Sequence, residues 1–269
     1  MPMAKLAGRV SDQLGAIYNN LLGRDPLSHI PLVRRGDLRR IGSRYGGWLI
    51  PADLINAGSI CYCVGCGEDI SFDLGLIELF RCDVYAFDPT PRAVQYVNTQ
   101  AAGNEHYHFS DLGLWDSSAR LKFYLPNDPT HVSHSLVNAQ ETSDYIEVPV
   151  DRLSNIMRAN QHKSLDLLKL DIEGAEYNVL DSIFADQLSV KIICVEFDRY
   201  RNPVNEAFSQ RILSYVRQIV ARGYLIIDAP GNGNYTFLRN DVVSAATATP
   251  VPTTIFNSSG DRRGEASAD

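Results

Sequence analysis

Two groups of residues in this chain have the types and spacing to do chemistry. The first is the turn Gly65-Cys66-Gly67-Glu68, followed 21 positions beyond Gly67 by Asp88 and then Pro89. Glycines let a backbone bend sharply and let a ligand approach where a Cβ would collide. A carboxylate at that distance can accept hydrogen bonds from both hydroxyls of a ribose, which suits an adenosine-type cofactor. The second group is Asp171 and Glu173, with Glu176, in the run LKLDIEGAE. A carboxylate there can orient an acceptor hydroxyl or take its proton. Acidic residues in the first turn of a helix are also ordinary capping chemistry, so position has to carry the functional reading.

The elements around these residues supply that position. Ile60 to Val64 is a short apolar run, and Ile70, Leu74 and Ile77 then recur at the spacing of one helix face. Val84 to Phe87 is a second apolar run ending at Asp88. A strand-helix-strand unit of this length joins parallel strands by a right-handed crossover, with the ligand crevice at their carboxyl ends. Leu165, Leu167, Leu168 and Leu170 are dense enough for another buried strand, which brings Asp171 and Glu173 to the same edge.

The third glycine position separates two cofactor classes. A dinucleotide fingerprint needs glycine where this chain has Ile70, and Glu68 and Asp69 stand where a pyrophosphate would bind. S-adenosyl-L-methionine carries a sulfonium and an ammonium, which acidic neighbours tolerate, so it is the expected cofactor. A third strand, Tyr107 to Ser110, ends at Ser110-Asp111-Leu112, where Asp111 either accepts from an adenine amino group or is a turn residue. His131 and His134 lie in a polar loop; His134 is a third candidate base after Asp171 and Glu173. No third ligand accompanies that histidine pair, and no metal is expected.

Composition limits the rest. With 269 residues, 45% of them hydrophobic, the chain can bury one sizeable core, and a net charge of −7 argues against nucleic acid as partner. No apolar window is long enough to cross a membrane, and the N-terminus has no signal-peptide core, so a cytoplasmic location is expected. Five cysteines, an odd number mostly in apolar runs, suit reduced core thiols. Val10, Leu14, Ile17, Tyr18 and Leu21 form a helical stripe that suits docking on the domain or a homodimer contact. Arg34, Arg35, Arg39, Arg40 and Arg44 form a basic cluster, either a solvated face or a site for an anionic group on the acceptor. Arg44 to Trp48 is either a flap over the cofactor or a turn with a core tryptophan.

LKLDIEGAE, with VGCGEDISF and YAFDPTP upstream, resembles the FkbM-type family of class I S-adenosylmethionine-dependent methyltransferases, over roughly residues 42–239. The resemblance implies an α/β, Rossmann-like sheet of seven mostly parallel strands with an antiparallel last strand and helices on both faces. It implies methyl transfer mostly to hydroxyl oxygens of polyketides, sugars or glycolipids. Gly65 and Gly67 match the family's cofactor glycines, Asp88 its ribose acid, and Asp171 and Glu173 the acidic pair beside the transferred methyl group. Cys63, Glu68 and Asp69 depart from the commoner family turn, Asp-x-Gly-Ala-Asn-x-Gly.

The expected organisation is an N-terminal helical extension and lid over residues 1–55, a methyltransferase domain over 56–240, and a disordered tail over 241–269. The expected activity is O-methylation of a small-molecule, sugar or glycolipid acceptor. The alternatives are an N-methyltransferase acting on an amine and a non-catalytic domain that retains the fold.

Overall fold

The computed structural model describes residues 32–124, 144–197, 206–230 and 233–242. Its centre is a seven-stranded sheet built from β3 (Ile60–Val64), β4 (Asp83–Phe87), β5 (Tyr107–Ser110), β9 (Ser164–Leu170), β10 (Ser189–Glu196), β11 (Tyr224–Asp228) and β12 (Asn234–Arg239). The order across the sheet is β11-β12-β10-β9-β3-β4-β5. All neighbours are parallel except at β12, which runs antiparallel to both β10 and β11. The expected sheet is therefore present, with its last strand inserted between two others.

The order of strands reverses between β3 and β9. Chain leaving β3 builds toward β5, and chain leaving β9 builds toward the opposite edge. A crevice opens outside the carboxyl ends of strands at such a reversal. Both sheet faces are covered, which is why the strands read as nearly continuous apolar runs. Leu168 and Leu170 of β9 face one cluster, with Phe197, Tyr177 and Leu180; Leu167 faces the other, with Cys61, Cys63 and Ile192. Helix α1 (Ser71–Phe80) turns Phe72, Leu76 and Ile77 onto this second face. Leu167 is fully buried, and trimming it to alanine would cost about 2–5 kcal/mol.

Helix α2 (Pro91–Gln100) follows β4 and begins with proline, whose missing N–H is unneeded in a first turn. Helices α3 (Leu153–Ala159), α4 (Glu176–Ala185) and α5 (Glu206–Ala221) complete the layers.

Two smaller sheets flank the main one. Residues 32–55, expected within a helical extension, instead form a hairpin of β1 (Leu38–Ile41) and β2 (Trp48–Pro51) and a short 3-10 turn. Ile41, Trp48 and Ile50 are buried, which makes this segment part of the core. Leu49 of the hairpin accepts a hydrogen bond at 3.0 Å from the buried Thr236 hydroxyl of β12. On the other side, β6 (Gly113–Trp115), β7 (Ala119–Tyr124) and β8 (Tyr145–Arg152) form a three-stranded sheet in the order β6-β8-β7. The stripe from Val10 to Leu21, the His131/His134 loop and nearly all of the tail lie outside the described residues. All five cysteines are buried and free. Among the described residues no helix is long and apolar enough to cross a membrane.

Candidate active site

The glycine turn is held from both neighbouring strands. Gly65 donates its N–H to the Phe87 carbonyl at 2.9 Å, and Asp171 donates its own to the Val64 carbonyl at 3.1 Å. Gly65 has φ +85°, and a Cβ there would stand 1.8 Å from the Asp171 carbonyl oxygen. No other residue fits between the ends of β3 and β9. Gly67 has φ +51° and open space where a Cβ would lie. It needs glycine for conformation, and it leaves room above the turn for a ligand.

Asp88, only 6% exposed, is drawn into this turn. One carboxylate oxygen accepts the N–H groups of Cys66 and Gly67 at 2.9 and 3.0 Å. The other accepts the N–H and hydroxyl of Thr90 at 2.9 and 2.6 Å. A carboxylate has about four acceptor positions, so its own chain fills them. A ribose hydroxyl reaches Asp88 only by replacing one of these donors, and the Thr90 hydroxyl is the one that bond rotation can release.

The two acidic residues behind the turn have separate partners. Glu68 pairs with Arg92 at 2.9 Å, half exposed on the rim. Asp69 accepts from the Ser71 N–H at 2.9 Å and from the Ser43 hydroxyl at 2.5 Å. Burial would raise the Asp69 pKa, but these hydrogen bonds outweigh it and hold the carboxyl below its ordinary value. Asp69 thereby ties the β1–β2 loop to the start of α1 and brings Tyr45 and Gly46 to the mouth of the crevice. Trp48 is a core residue, and Tyr45, 51% exposed, is the aromatic at the opening. The arginine cluster divides in the same way: Arg35 is buried against Asp37 at 2.6 Å, while Arg34, Arg39, Arg40 and Arg44 are exposed.

At the end of β9 the chain makes a tight loop before α4. Glu173 has φ +55°, a left-handed conformation uncommon for a residue with a side chain. Glu176 secures it: its fully buried carboxylate accepts the N–H groups of Ile172 and Gly174 at 2.8 and 2.9 Å. Burial pushes the Glu176 pKa up to about 8, against the lowering effect of backbone N–H groups that include that of Ile172. Of the three acids in the motif, Glu176 is the cap, and Asp171 and Glu173 line the crevice.

Lys169 lies one step back along β9, beside Cys63 of β3 and Cys194 of β10. Its ammonium donates to the Gly65 carbonyl at 2.6 Å and stands 3.5 Å from an Asp171 oxygen. Burial alone would lower its pKa, but Asp171 and Asp73 outweigh that and keep it charged. Asp73, on the buried side of α1, accepts the Tyr107 hydroxyl at 3.1 Å, and burial raises its own pKa. Asp73 lies outside the motifs, and Lys169, although within the LKLDIEGAE run, has no role read for it in the sequence. The available signal was a single lysine set between two leucines of a core strand.

These groups meet in one open cleft of about 890 Å³, mouth included. Of the residues singled out in the sequence, Gly65, Cys66, Gly67, Glu68, Asp88, Pro89, Asp171 and Glu173 line it, and Lys169 and Thr90 join them. Phe87, Leu114 and Phe123 give it an apolar wall. Ser110, Asp111 and Leu112 do not line it; Gly113 and Leu114 take that place, and Asp111 is exposed. His134 lies outside the described residues. Among those described, no group of three His, Cys, Asp or Glu residues could hold a metal.

A mostly parallel sheet with this reversal, a glycine turn and strand-end carboxylates is the Rossmann-like methyltransferase architecture. The family model for the methyltransferase FkbM domain matches residues 71–226, more than half of the chain, and the chain belongs to that family. Its cofactor is S-adenosyl-L-methionine. Among solved structures, the chain is similar to methyltransferase FkbM from Methylobacillus flagellatus KT. The identity is 14% and the TM-score 0.43, over 68% of this chain and 44% of that one, so this chain spans less than half of that protein's length. An rRNA methylase from Streptococcus thermophilus shows 12% identity and a TM-score of 0.38, covering 69% of this chain and 88% of that one. A fibrillarin from Aeropyrum pernix with bound S-adenosyl-L-methionine shows 10% identity and a TM-score of 0.39, covering 76% and 83%. No curated protein sequence matches the chain.

The cleft suits this cofactor. Open space over Gly67 admits it, the Phe87, Leu114 and Phe123 wall suits an adenine ring, and the carboxylates of Asp171 and Glu173 suit a cation.

Proposed function

We propose that this methyltransferase acts on a hydroxyl oxygen of a sugar, glycolipid or polyketide-type small molecule. The observation that carries the reading is that Asp171 and Glu173 line the same cleft as the glycine turn, at the strand reversal. When bound, the cofactor supplies an electrophilic methyl group on a sulfonium. The remaining work belongs to the chain. The cleft holds the acceptor oxygen in line with the methyl group, and such alignment supplies most of the rate gain. Asp171 or Glu173 takes the acceptor proton as the oxygen attacks, worth about 10²- to 10⁴-fold. The rigid loop held by Glu176 keeps both carboxylates at the reacting edge. Asp88 shapes the glycine turn and meets the ribose in exchange for the Thr90 hydroxyl, with Pro89 beside it.

Two experiments test this. Calorimetric titration with S-adenosylhomocysteine is expected to show micromolar binding to the wild-type chain; absence of binding to folded protein would overturn the cofactor site. An acceptor screen with labelled S-adenosyl-L-methionine, followed by product analysis, is expected to yield a methyl ether. A methyl amine would assign the chain to N-methylation instead.

A further inference from the structure

Lys169 has more donor capacity than its own chain uses. A lysine ammonium has three N–H donors, and burying one costs several kcal/mol unless it is paired. The side chain is 5% exposed, one donor goes to the Gly65 carbonyl at 2.6 Å, and the Asp171 carboxylate at 3.5 Å is too far for a strong hydrogen bond. Asp73, the other buried acid nearby, adds its charge to that of Asp171 and accepts the Tyr107 hydroxyl. Lys169 nevertheless lines the cleft, between Gly65 and Asp171. A buried, charged donor thus lines the cleft assigned above to the cofactor.

The layout of the cleft indicates which part of the cofactor it meets. Asp88, Pro89 and the apolar wall lie on the β4 side and suit the nucleoside. A cofactor seated there and crossing the glycine turn brings its amino-acid end to β9. That end carries an α-carboxylate, a planar anion that a point-charge donor recognises. We propose that Lys169 binds the α-carboxylate of S-adenosyl-L-methionine, so that one ammonium fixes the glycine turn, Asp171 and the cofactor's amino-acid end together.

This rests on the cofactor site assigned above, and its test separates the two. S-adenosylhomocysteine and 5′-methylthioadenosine share the nucleoside and thioether, but only the first has the amino-acid end. Both are titrated into wild type and Lys169→Met. The expected result is a loss of about tenfold to a hundredfold in the mutant's affinity for S-adenosylhomocysteine, with 5′-methylthioadenosine unchanged. Equal losses on both ligands, or none on either, would overturn the assignment. Should Lys169→Met not fold, wild type is titrated with decarboxylated S-adenosylhomocysteine, which keeps the amine. A loss of tenfold or more supports the assignment; affinity equal to that of the intact product overturns it. Wild type that binds neither full-length ligand removes the cofactor site and this contact with it.

Discussion

Asp88 and Asp171 are the same residue type at equivalent places, each one step beyond the end of a parallel strand, yet the structure uses them in opposite ways. Asp88 is nearly buried and accepts four hydrogen bonds from its own chain. Asp171 keeps a third of its side chain exposed to the cleft and has a cation at 3.5 Å. The difference comes from the donors that the neighbouring turns offer. Thr90, two positions on, and the Cys66-Gly67 turn of the neighbouring strand supply Asp88 with donors. After Asp171 two N–H groups of the following turn, those of Ile172 and Gly174, are taken by Glu176. A strand-end carboxylate becomes part of the scaffold or stays open to the cleft according to whether the next turn leaves it donors.

Four experiments bear on this contrast. The largest effect is expected from Asp171→Asn and Glu173→Gln: the one that removes the base lowers kcat by about 10²- to 10⁴-fold, a loss larger than any accompanying loss of cofactor affinity or stability. If Asp171→Asn instead lowers stability and leaves turnover alone, the contrast fails. Next in size, Asp88→Asn is expected to lower folding free energy by about 3 kcal/mol, because it leaves buried N–H groups without an acceptor. Cofactor affinity should fall with it, as read by urea unfolding and calorimetry.

The third experiment is a pH titration of stability. The folded pKa of Glu176, about 8, lies above its ordinary 4.5, so its protonated form is favoured on folding. Its contribution is complete below about pH 4.5 and is lost as pH rises through about 8. Glu176→Gln should flatten that part of the stability profile, and an unchanged slope would assign the pH dependence elsewhere. The smallest effect belongs to the exposed Glu68–Arg92 pair. Arg92→Ala should cost no more than about 1 kcal/mol and leave kcat unchanged. A large loss of cofactor binding would give the rim a role in the site.

Much of this was legible in the sequence because it depends on local rules. The glycine turn, the strand-end positions of Asp88 and Asp171, and helix α1 follow from apolar runs and their punctuation. The Ile70 that excludes a dinucleotide fingerprint is buried at the start of α1, as an apolar residue there requires. Other features escaped. Strand β8 has an alternating signal in Ile146, Val148 and Val150, which the polar stretch before it obscures. The hairpin at Leu38–Pro51 reads as a basic, glycine-rich segment, and only its packing under β12 and α1 shows it to be core. Gly113 and Leu114 line the cleft where Ser110-Asp111-Leu112 was expected, and Asp111 is exposed.

Hydrophobic period and glycine placement act over a few positions, so the amino-acid order was enough to give the sheet, the cofactor class and most of the residues that line the cleft. Which acids belong to the scaffold and which face the cleft was settled only on folding. Folding also placed Lys169 beneath Gly65, 104 residues away in the chain. Hydrogen-bond saturation and burial depend on which strands become neighbours, and that is set by the fold as a whole.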